Sequence, residues 1–271
     1  MMLLGTMVVL ALATRTAVSL KLSSNDIPET GITESDTVCS GSRSSLSSSG
    51  SDSWWYNKTV QLYTNCTYVD GNLVVTWLTD ENINYDLTFL RNIRYVRGFV
   101  LIAGSDEHMD LSLPSLEVIR GNQTFPYGGN EYGLAVLVTN FTSVRLPRLK
   151  EISNGKVIFY ANRPDIRVEV RRSWDSIVRN REPGAVNIQG DIMPLSPHSD
   201  ECPLSCPRRC YWYGAGCCHS QCAGGCWGPT PAQCETCKDF ELEGVCLSHC
   251  PANHYRHGRR CLLNPLYRGG Q

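Results

Sequence analysis

The crowding of cysteines in the C-terminal part of the chain limits its possible folds more than any other feature. Twelve of the fourteen cysteines lie between Cys202 and Cys261. Outside the cysteines this segment has few large apolar side chains, so it cannot bury a core of its own and needs cross-links. The density predicts either a disulfide framework in an oxidising compartment or a metal cluster in a reducing one.

The N-terminal sequence favours the oxidising compartment. Residues 1–13, MMLLGTMVVLALA, form an apolar run of signal-peptide length, and the small residues Ala17 and Ser19 follow where a peptidase could cut. The run is too short to span a bilayer, and the polar segment after it gives a buried helix nothing to pack against. We predict a signal peptide over residues 1–19, a flexible segment over 20–37 and a secreted, extracellular chain without a membrane span.

The cysteine spacing contains a repeat of two four-cysteine frames. The first frame holds Cys202, Cys206, Cys210 and Cys217, and the second, with nearly the same spacing, holds Cys218, Cys222, Cys226 and Cys234. A bond between the adjacent Cys217 and Cys218 would close a strained ring, so we expect each to pair within its own frame. Two simpler loops follow, from Cys237 to Cys246 and from Cys250 to Cys261.

Zinc binding and catalysis are the alternative uses of these cysteines. Cys234 and Cys237 have the spacing of a zinc knuckle, and four nearby histidines could act as further ligands, His219, His249, His254 and His257. In a secreted chain the thiols oxidise first, so we expect no metal and no cofactor. The even cysteine count leaves no obvious spare thiol, and no established catalytic motif occurs, so we expect no enzyme. The nearly balanced net charge of −1 does not indicate a nucleic-acid partner.

A second repeat lies before the cysteine-rich segment, among four strand-like runs at 74–78, 98–103, 132–139 and 155–161. A leucine followed three residues later by isoleucine precedes a strand in each unit, at Leu90/Ile93, Leu116/Ile119 and Leu149/Ile152, with a glycine nearby at Gly98, Gly121 and Gly155. Such a period predicts a β-solenoid whose coils stack through these side chains. A β-sandwich is the alternative, but it has no reason to repeat this pattern. A helix over 170–180, with Trp174, Ile177 and Val178 on one face, is expected to cap the open end.

Seven segments in this order resemble the start of the extracellular region of the epidermal growth factor receptor (ErbB) family. They are VCSG (38–41), GNLVVT (71–76), NYDLTFL (84–90), GFVLIA (98–103), LEVIRGN (116–122), YGLAVL (132–137) and CCHSQCAGGCWGP (217–229). The insulin receptor shares the architecture. The resemblance implies a mainly β chain, with a right-handed β-helix (receptor L domain) over 38–200, furin-like disulfide modules over 201–261 and a tail over 262–271.

The resemblance also implies the disulfide pairing. One bond closes the start of the L domain, and the cysteines of each frame pair first with third and second with fourth. The implied bonds are Cys39–Cys66, Cys202–Cys210, Cys206–Cys217, Cys218–Cys226, Cys222–Cys234, Cys237–Cys246 and Cys250–Cys261.

In the family, one side of an EGF-like growth factor binds the strand face of the L domain. Leu46, Trp77 and Leu137 fall on ligand-contact positions and keep an apolar or aromatic type, whereas Ser48 and Gly104 fall on other contact positions and do not. For Leu46 and Leu137, ordinary packing is the alternative role. Four Asn-x-Thr sequons are candidate glycan sites, at Asn57, Asn65, Asn122 and Asn140.

Three departures from the family pattern shape the functional expectation. Arg167 stands where an L-domain cysteine is usual, the first cysteine module is shortened, and only ten residues separate Cys250 from Cys261, where the family has a long dimerisation arm. We expect a secreted ectodomain that binds an EGF-like growth factor or an ErbB-like receptor, as a non-signalling decoy or modulator. The alternatives are the N-terminal part of a full transmembrane receptor tyrosine kinase and an extracellular structural or adhesive glycoprotein.

Overall fold

The computed structural model describes residues 36–43, 50–180, 182–194, 202–203, 205–206, 209–211 and 216–265. These residues form mainly short strands, numbered β1 to β23 along the chain. The described part also contains the helices α1 (Asp52–Tyr63) and α2 (Trp174–Ile177) and a 3₁₀ turn at Thr88–Leu90. The expectation of a mainly β chain with few helices and many disulfides is confirmed.

Three parallel sheets make up the N-terminal part. Sheet A has the order β1 (Val38–Cys39), β2 (Tyr68–Val69), β4 (Tyr95–Val96), β7 (Val118–Ile119) and β11 (Glu151–Ile152). Sheet B has the order β3 (Leu73–Leu78), β5 (Val100–Ser105), β9 (Asn130–Thr139), β12 (Lys156–Tyr160) and β14 (Val186–Ile188), and β8 (Phe125–Tyr127) pairs antiparallel with β9. Sheet C has the order β6 (Asp110–Ser112), β10 (Ser143–Leu146), β13 (Arg167–Val170) and β15 (Asp191–Pro194).

Successive turns of the chain visit these sheets in a constant order. From β4 onward the chain passes through sheets A, B and C, then returns to sheet A at β7 and again at β11. Each strand therefore pairs in parallel with its equivalent one turn later, as Val118 does with Glu151. The alternate residues Val75, Ile102, Val136 and Phe159 of sheet B enter one common core between the sheets.

The repeated leucines and isoleucines all lie in this core, and their side chains are at most 1% exposed. The alignment of the first repeat was wrong, however. Val96, and not Ile93, pairs with Ile119 in sheet A. The cause is the 3₁₀ turn at Thr88–Leu90, which places Leu90 in the core before the repeating part of that coil begins.

The helices differ from the expectation in opposite ways. α1 was not predicted. Ser51 caps its first turn by accepting a hydrogen bond from the Trp54 amide (3.2 Å), and Asp52 complements the positive end of the helix. The expected helix over 170–180 is confirmed only as the short α2, although Trp174 and Ile177 are buried as predicted. It is shorter because β13 extends to Val170 and takes the first part of this segment into sheet C.

The cysteine-rich part contains three small sheets. The first pairs β16 (Cys210–Tyr211) with β17 (Gly216–Cys217), and the second pairs β18 (Cys222–Cys226) with β19 (Cys234–Cys237). The third has the order β21 (Val245–Leu247), β20 (Phe240–Leu242), β23 (Arg260–Leu263) and β22 (His254–His257).

All fourteen cysteines are bonded, in the same seven pairs that the family resemblance implies. At the seam Cys217 pairs backward with Cys206, and Cys218 pairs forward with Cys226. The two adjacent cysteines therefore end one disulfide module and begin the next. No group of three or more His, Cys, Asp or Glu side chains within the described ranges is arranged to hold a metal ion.

Candidate functional site

The outer side of sheet A is covered by the cysteine-rich part. Tyr68 and Tyr95 stack with 5.0 Å between ring centroids and form an apolar cluster with Val118 and Ala223. The Tyr95 hydroxyl donates to the Lys238 carbonyl (2.8 Å), and burial raises its pKa. Sheet A is therefore an internal interface.

A buried carboxylate anchors one end of this interface. Glu151 of β11 is 0% exposed, and its carboxylate accepts hydrogen bonds from Arg179 (3.0 Å), the Gly224 amide (3.0 Å) and Ser153 (2.8 Å). Arg172 donates to the Gly224 carbonyl (2.6 Å), so the N–H and the carbonyl of Gly224 both bind the N-terminal part of the chain. Burial alone would raise the pKa of Glu151, but the Arg179 charge and these hydrogen bonds outweigh it, and the pKa is lowered.

Sheet C carries a row of charged side chains. Arg145 lies between two acidic residues on neighbouring strands and forms ion pairs with Asp110 (3.4 Å) and Glu169 (3.3 Å). Arg167 pairs in register with Asp191 on this sheet. Cross-strand pairs of opposite charge on a solvated face contribute modestly to stability and need no partner.

Sheet B differs because a second apolar cluster lies on it, separate from the common core. The strand residues Val74, Leu101, Ala135 and Ile158 alternate with the core residues and join this cluster. The residues of this cluster are already buried, at most 9% exposed, so a partner could reach only the side chains at its edge. Because exposed apolar side chains border the buried cluster, the outer face of sheet B is the strongest candidate for a partner-binding surface.

A row of aromatic rings crosses this face. The β8–β9 hairpin turns at Gly128 and Gly129, both in the left-handed region, and this places Phe125 over the sheet. The ring centroids of Phe99 and Phe125 lie 5.7 Å apart, those of Phe125 and Tyr127 6.3 Å, and those of Tyr127 and Tyr160 6.4 Å. Tyr127 and Tyr160 remain 38% and 41% exposed, so the row ends in two accessible rings.

The C-terminal ends of the sheet B strands share an uncommon backbone conformation. Trp77, Gly104, Val138 and Ala161 have φ values of 62°, 65°, 52° and 52°. Left-handed backbone is rare for a β-branched residue and indicates a strained corner held by its surroundings. Val138 is 59% exposed there, and a side chain on Gly104 would lie 3.3 Å from the Trp77 ring. This corner presents two fixed apolar side chains, those of Trp77 and Val138.

Only some of the predicted ligand-contact residues lie on the outer face of sheet B. Trp77 on β3 and Leu137 on β9 belong to the same sheet, with β5 between them. Leu137 is 5% exposed and joins the apolar cluster, which favours a packing role for it. Leu46 and Ser48 lie outside the described residues.

Sequence reasoning missed three exposed side chains of this face, Tyr127, Val138 and Tyr160. A usable signal existed for Tyr127, because a Gly-Gly pair between strand-like residues is typical of a two-residue hairpin turn.

The four sequons lie in different environments. Asn57, Asn65 and Asn122 are exposed, whereas Asn140 is half-buried and its side-chain amide donates to the Asp106 carbonyl (3.2 Å). The first three could therefore carry a glycan without a change in the fold.

Comparison with known proteins defines the class of this chain. Residues 65–178 match the Receptor L domain family, and residues 189–266 match the Furin-like cysteine rich region family. The chain is thus an L domain followed by a furin-like region. The epidermal growth factor receptor of Drosophila melanogaster is 34% identical over 245 residues, which cover 79% of this chain and 16% of the relative.

Two further relatives are similar to about three quarters or more of this chain. Human receptor tyrosine-protein kinase erbB-4 is 32% identical over 210 residues (75% of this chain, 14% of the relative), and erbB-2 of Mesocricetus auratus is 30% identical over 254 residues (79% and 20%). The chain belongs to the epidermal growth factor receptor (ErbB) family.

The matches cover a limited part of these relatives. The chain spans a fifth or less of their length, and its matched segments are extracellular domains, not a kinase domain. In the described part of the chain, no helix has the length and apolar character needed to cross a bilayer.

Proposed function

We propose that the chain is an extracellular receptor segment that binds an EGF-like growth factor through the outer face of sheet B. The main support for this proposal is the row of aromatic rings that ends in the exposed Tyr127 and Tyr160. Aromatic anchors of this kind dominate protein–protein affinity. Sheet A is occupied by the cysteine-rich part and sheet C is charged, so sheet B suits an apolar partner best.

We further infer that the three parallel sheets are the faces of a right-handed β-helix. The constant order of the sheets and the parallel register of successive turns support this arrangement. The proposed boundaries are 38–200 for the L domain and 201–261 for the furin-like modules. In such a scaffold the outer face of sheet B is rigid, which lowers the entropic cost of binding.

Acting by itself, this segment would be a decoy or modulator. A ligand that contacts only one domain binds less tightly than a ligand held by two linked domains, because a second linked site raises the overall affinity. The span of a fifth or less of the relatives favours a second candidate, in which this segment is the ligand-binding part of a longer receptor tyrosine kinase. Both candidates use the same face.

Replacing Tyr160 with alanine should weaken growth-factor binding about tenfold or more, because hot-spot aromatic side chains contribute about 2 kcal/mol or more. The measurement is a titration of the secreted chain against a panel of EGF-like growth factors by surface plasmon resonance. Tyr255→Ala is the matched control, since Tyr255 lies on β22 of the cysteine-rich part and is similarly exposed (46% against 41%).

Two outcomes would overturn the proposal. Absence of binding to every growth factor at high micromolar concentration would favour an adhesive or structural glycoprotein. Equal weakening by Tyr160→Ala and Tyr255→Ala would show that the ligand does not bind sheet B.

A further inference from the structure

A polar cleft lies at the corner between sheets A and B, at the N-terminal ends of the B strands. Its volume is about 270 Å³. Its lining is polar apart from Gly71 and Gly98, and includes Ser40, Asp70, Arg97 and Asn122. Small-molecule sites usually enclose roughly 300–1,000 Å³, so this cleft suits a single polar ring.

The two glycines keep the cleft open and the corner tight. A side chain on Gly71 would lie 2.4 Å from the Ser40 carbonyl oxygen, and one on Gly98 would overlap the Asn72 amide. The backbone is tied across the turns, because the Gly98 amide donates to the Gly71 carbonyl (2.8 Å). The cleft is therefore a preformed feature of the stacked turns.

A glycosylation sequon forms part of the cleft wall. Asn122 lines the cleft and is exposed, and its backbone N–H donates to the Arg97 carbonyl (2.9 Å), which holds the residue in place. The third sequon residue, Thr124, donates to Glu131 across the base of the β8–β9 hairpin (2.5 Å). The sequon asparagine thus lies at the rim of a cavity lined with hydrogen-bonding groups.

We propose that Asn122 carries an N-linked glycan and that the cleft seats its first N-acetylglucosamine ring. In this reaction the Asn122 side-chain nitrogen forms a bond to C1 of the sugar and loses one proton. The C1–oxygen bond of a lipid-pyrophosphate-linked oligosaccharide breaks, and the lipid pyrophosphate leaves. The host glycosylation machinery supplies this donor.

The chemistry of the cleft matches an N-acetylated sugar. The Arg97 guanidinium has five N–H donors, and its ion pair with Asp70 (3.2 Å) fixes its orientation. The sugar hydroxyls and acetamide oxygen accept hydrogen bonds from such donors.

The test uses the full chain secreted from a eukaryotic cell line and digested in its native state with peptide N-glycosidase. Mass spectrometry follows the conversion of asparagine to aspartate at each sequon. The glycan on Asn122 should be released about tenfold more slowly than the glycan on Asn57, which is exposed on α1. The reason is that the enzyme must first break the contact between the sugar and Arg97, and one hydrogen bond to a charged group is worth about 1.5 kcal/mol.

Arg97→Ala should remove this protection, and Arg256→Ala is its matched control. Both arginines pair with Asp70 and have similar exposure, 36% and 35%, but only Arg97 is among the residues that line the cleft. The proposal is wrong if Asn122 is unmodified or if its glycan is released as fast as the glycan on Asn57. It is also wrong if the Asn122 glycan is protected equally in the Arg97→Ala and Arg256→Ala variants. A chain with no glycan at either sequon also overturns it.

Discussion

Replacing Glu151 with glutamine should lower the free energy of unfolding by about 3–5 kcal/mol, the usual cost of removing one partner of a buried ion pair. Glutamine preserves the shape of the side chain but leaves the Arg179 charge, whose side chain is 10% exposed, without its counter-ion. The change also weakens the hydrogen bond from the Gly224 amide, which joins the two parts of the chain. Guanidinium unfolding with intact disulfides, followed by tryptophan fluorescence, measures the loss.

Glu169→Gln is the matched control for this experiment. Glu169 also pairs with an arginine, Arg145, but that pair lies on the solvated face of sheet C. Exposed pairs contribute about 0–1 kcal/mol, so the control should change stability by no more than that. If the two variants were equally stable, Glu151 would not act as the anchor between sheet A and the cysteine-rich part.

The same anchor predicts a dependence on pH. The pKa of Glu151 is lowered in the folded state, so the carboxylate stabilises the fold above the pKa of the unfolded chain. This contribution is lost as the pH falls toward the folded-state pKa. The stability difference between the wild type and Glu151→Gln should therefore be largest at neutral pH and should shrink below about pH 4. A difference that grows on acidification would mean that Glu151 is buried in its neutral form.

Gly224→Ala tests this interface from the other side. Gly224 has φ of 75°, and an added side chain would lie 2.7 Å from the Lys150 side chain. Gly244 has nearly the same φ, 79°, with nothing within 4 Å of an added side chain. In both variants alanine must adopt left-handed backbone, which lowers the free energy of unfolding by about 1–2 kcal/mol. Any further loss of stability in Gly224→Ala therefore reports the close contact with the L domain. Equal losses would show that the contact is loose.

Much of the N-terminal architecture follows from local sequence patterns. A pair of large apolar residues followed by a glycine recurs in each turn because the same core positions and the same corner recur, so the sequence alone indicates stacked turns. The register of the first turn could not be obtained this way, because Leu90 lies in a 3₁₀ turn that resembles the repeat. α1 was missed because its residues, DSWWYNKTVQLY, show little helical periodicity and depend on Tyr63 packing in the core.

The interface and the candidate site were harder to predict. Glu151 and Gly224 are far apart in the sequence, and no local pattern distinguishes Glu151 from an exposed glutamate. Trp77 was found through the family resemblance, whereas the exposure of Tyr160 depends on where the β8–β9 hairpin lies. Sequence patterns thus predict which residues repeat, but not which faces the other parts of the chain cover.

Gly155→Ala should lower the free energy of unfolding by about 2–5 kcal/mol. The loss combines the unfavourable left-handed backbone of alanine with overpacking by the added methyl group. Gly155 has φ of 84°, and an added side chain would lie 2.3 Å from the Gly133 amide nitrogen in the neighbouring turn. Backbone cannot swing aside as a flexible side chain can, so β9 and β12 would have to separate where they begin. Guanidinium unfolding of the purified, oxidised variant measures the loss, and a low yield of folded protein is expected with it.

Gly184→Ala separates the two causes of this effect. Gly184 also has a left-handed backbone, with φ of 74°, but an added side chain there meets nothing within 4 Å. Its replacement should therefore cost only about 1–2 kcal/mol. An excess loss in Gly155→Ala measures how closely one turn of the chain approaches the next. If the two variants lose equal stability, the turns are not in contact at this corner, and the glycine in the repeat does not have the packing role that its recurrence implies.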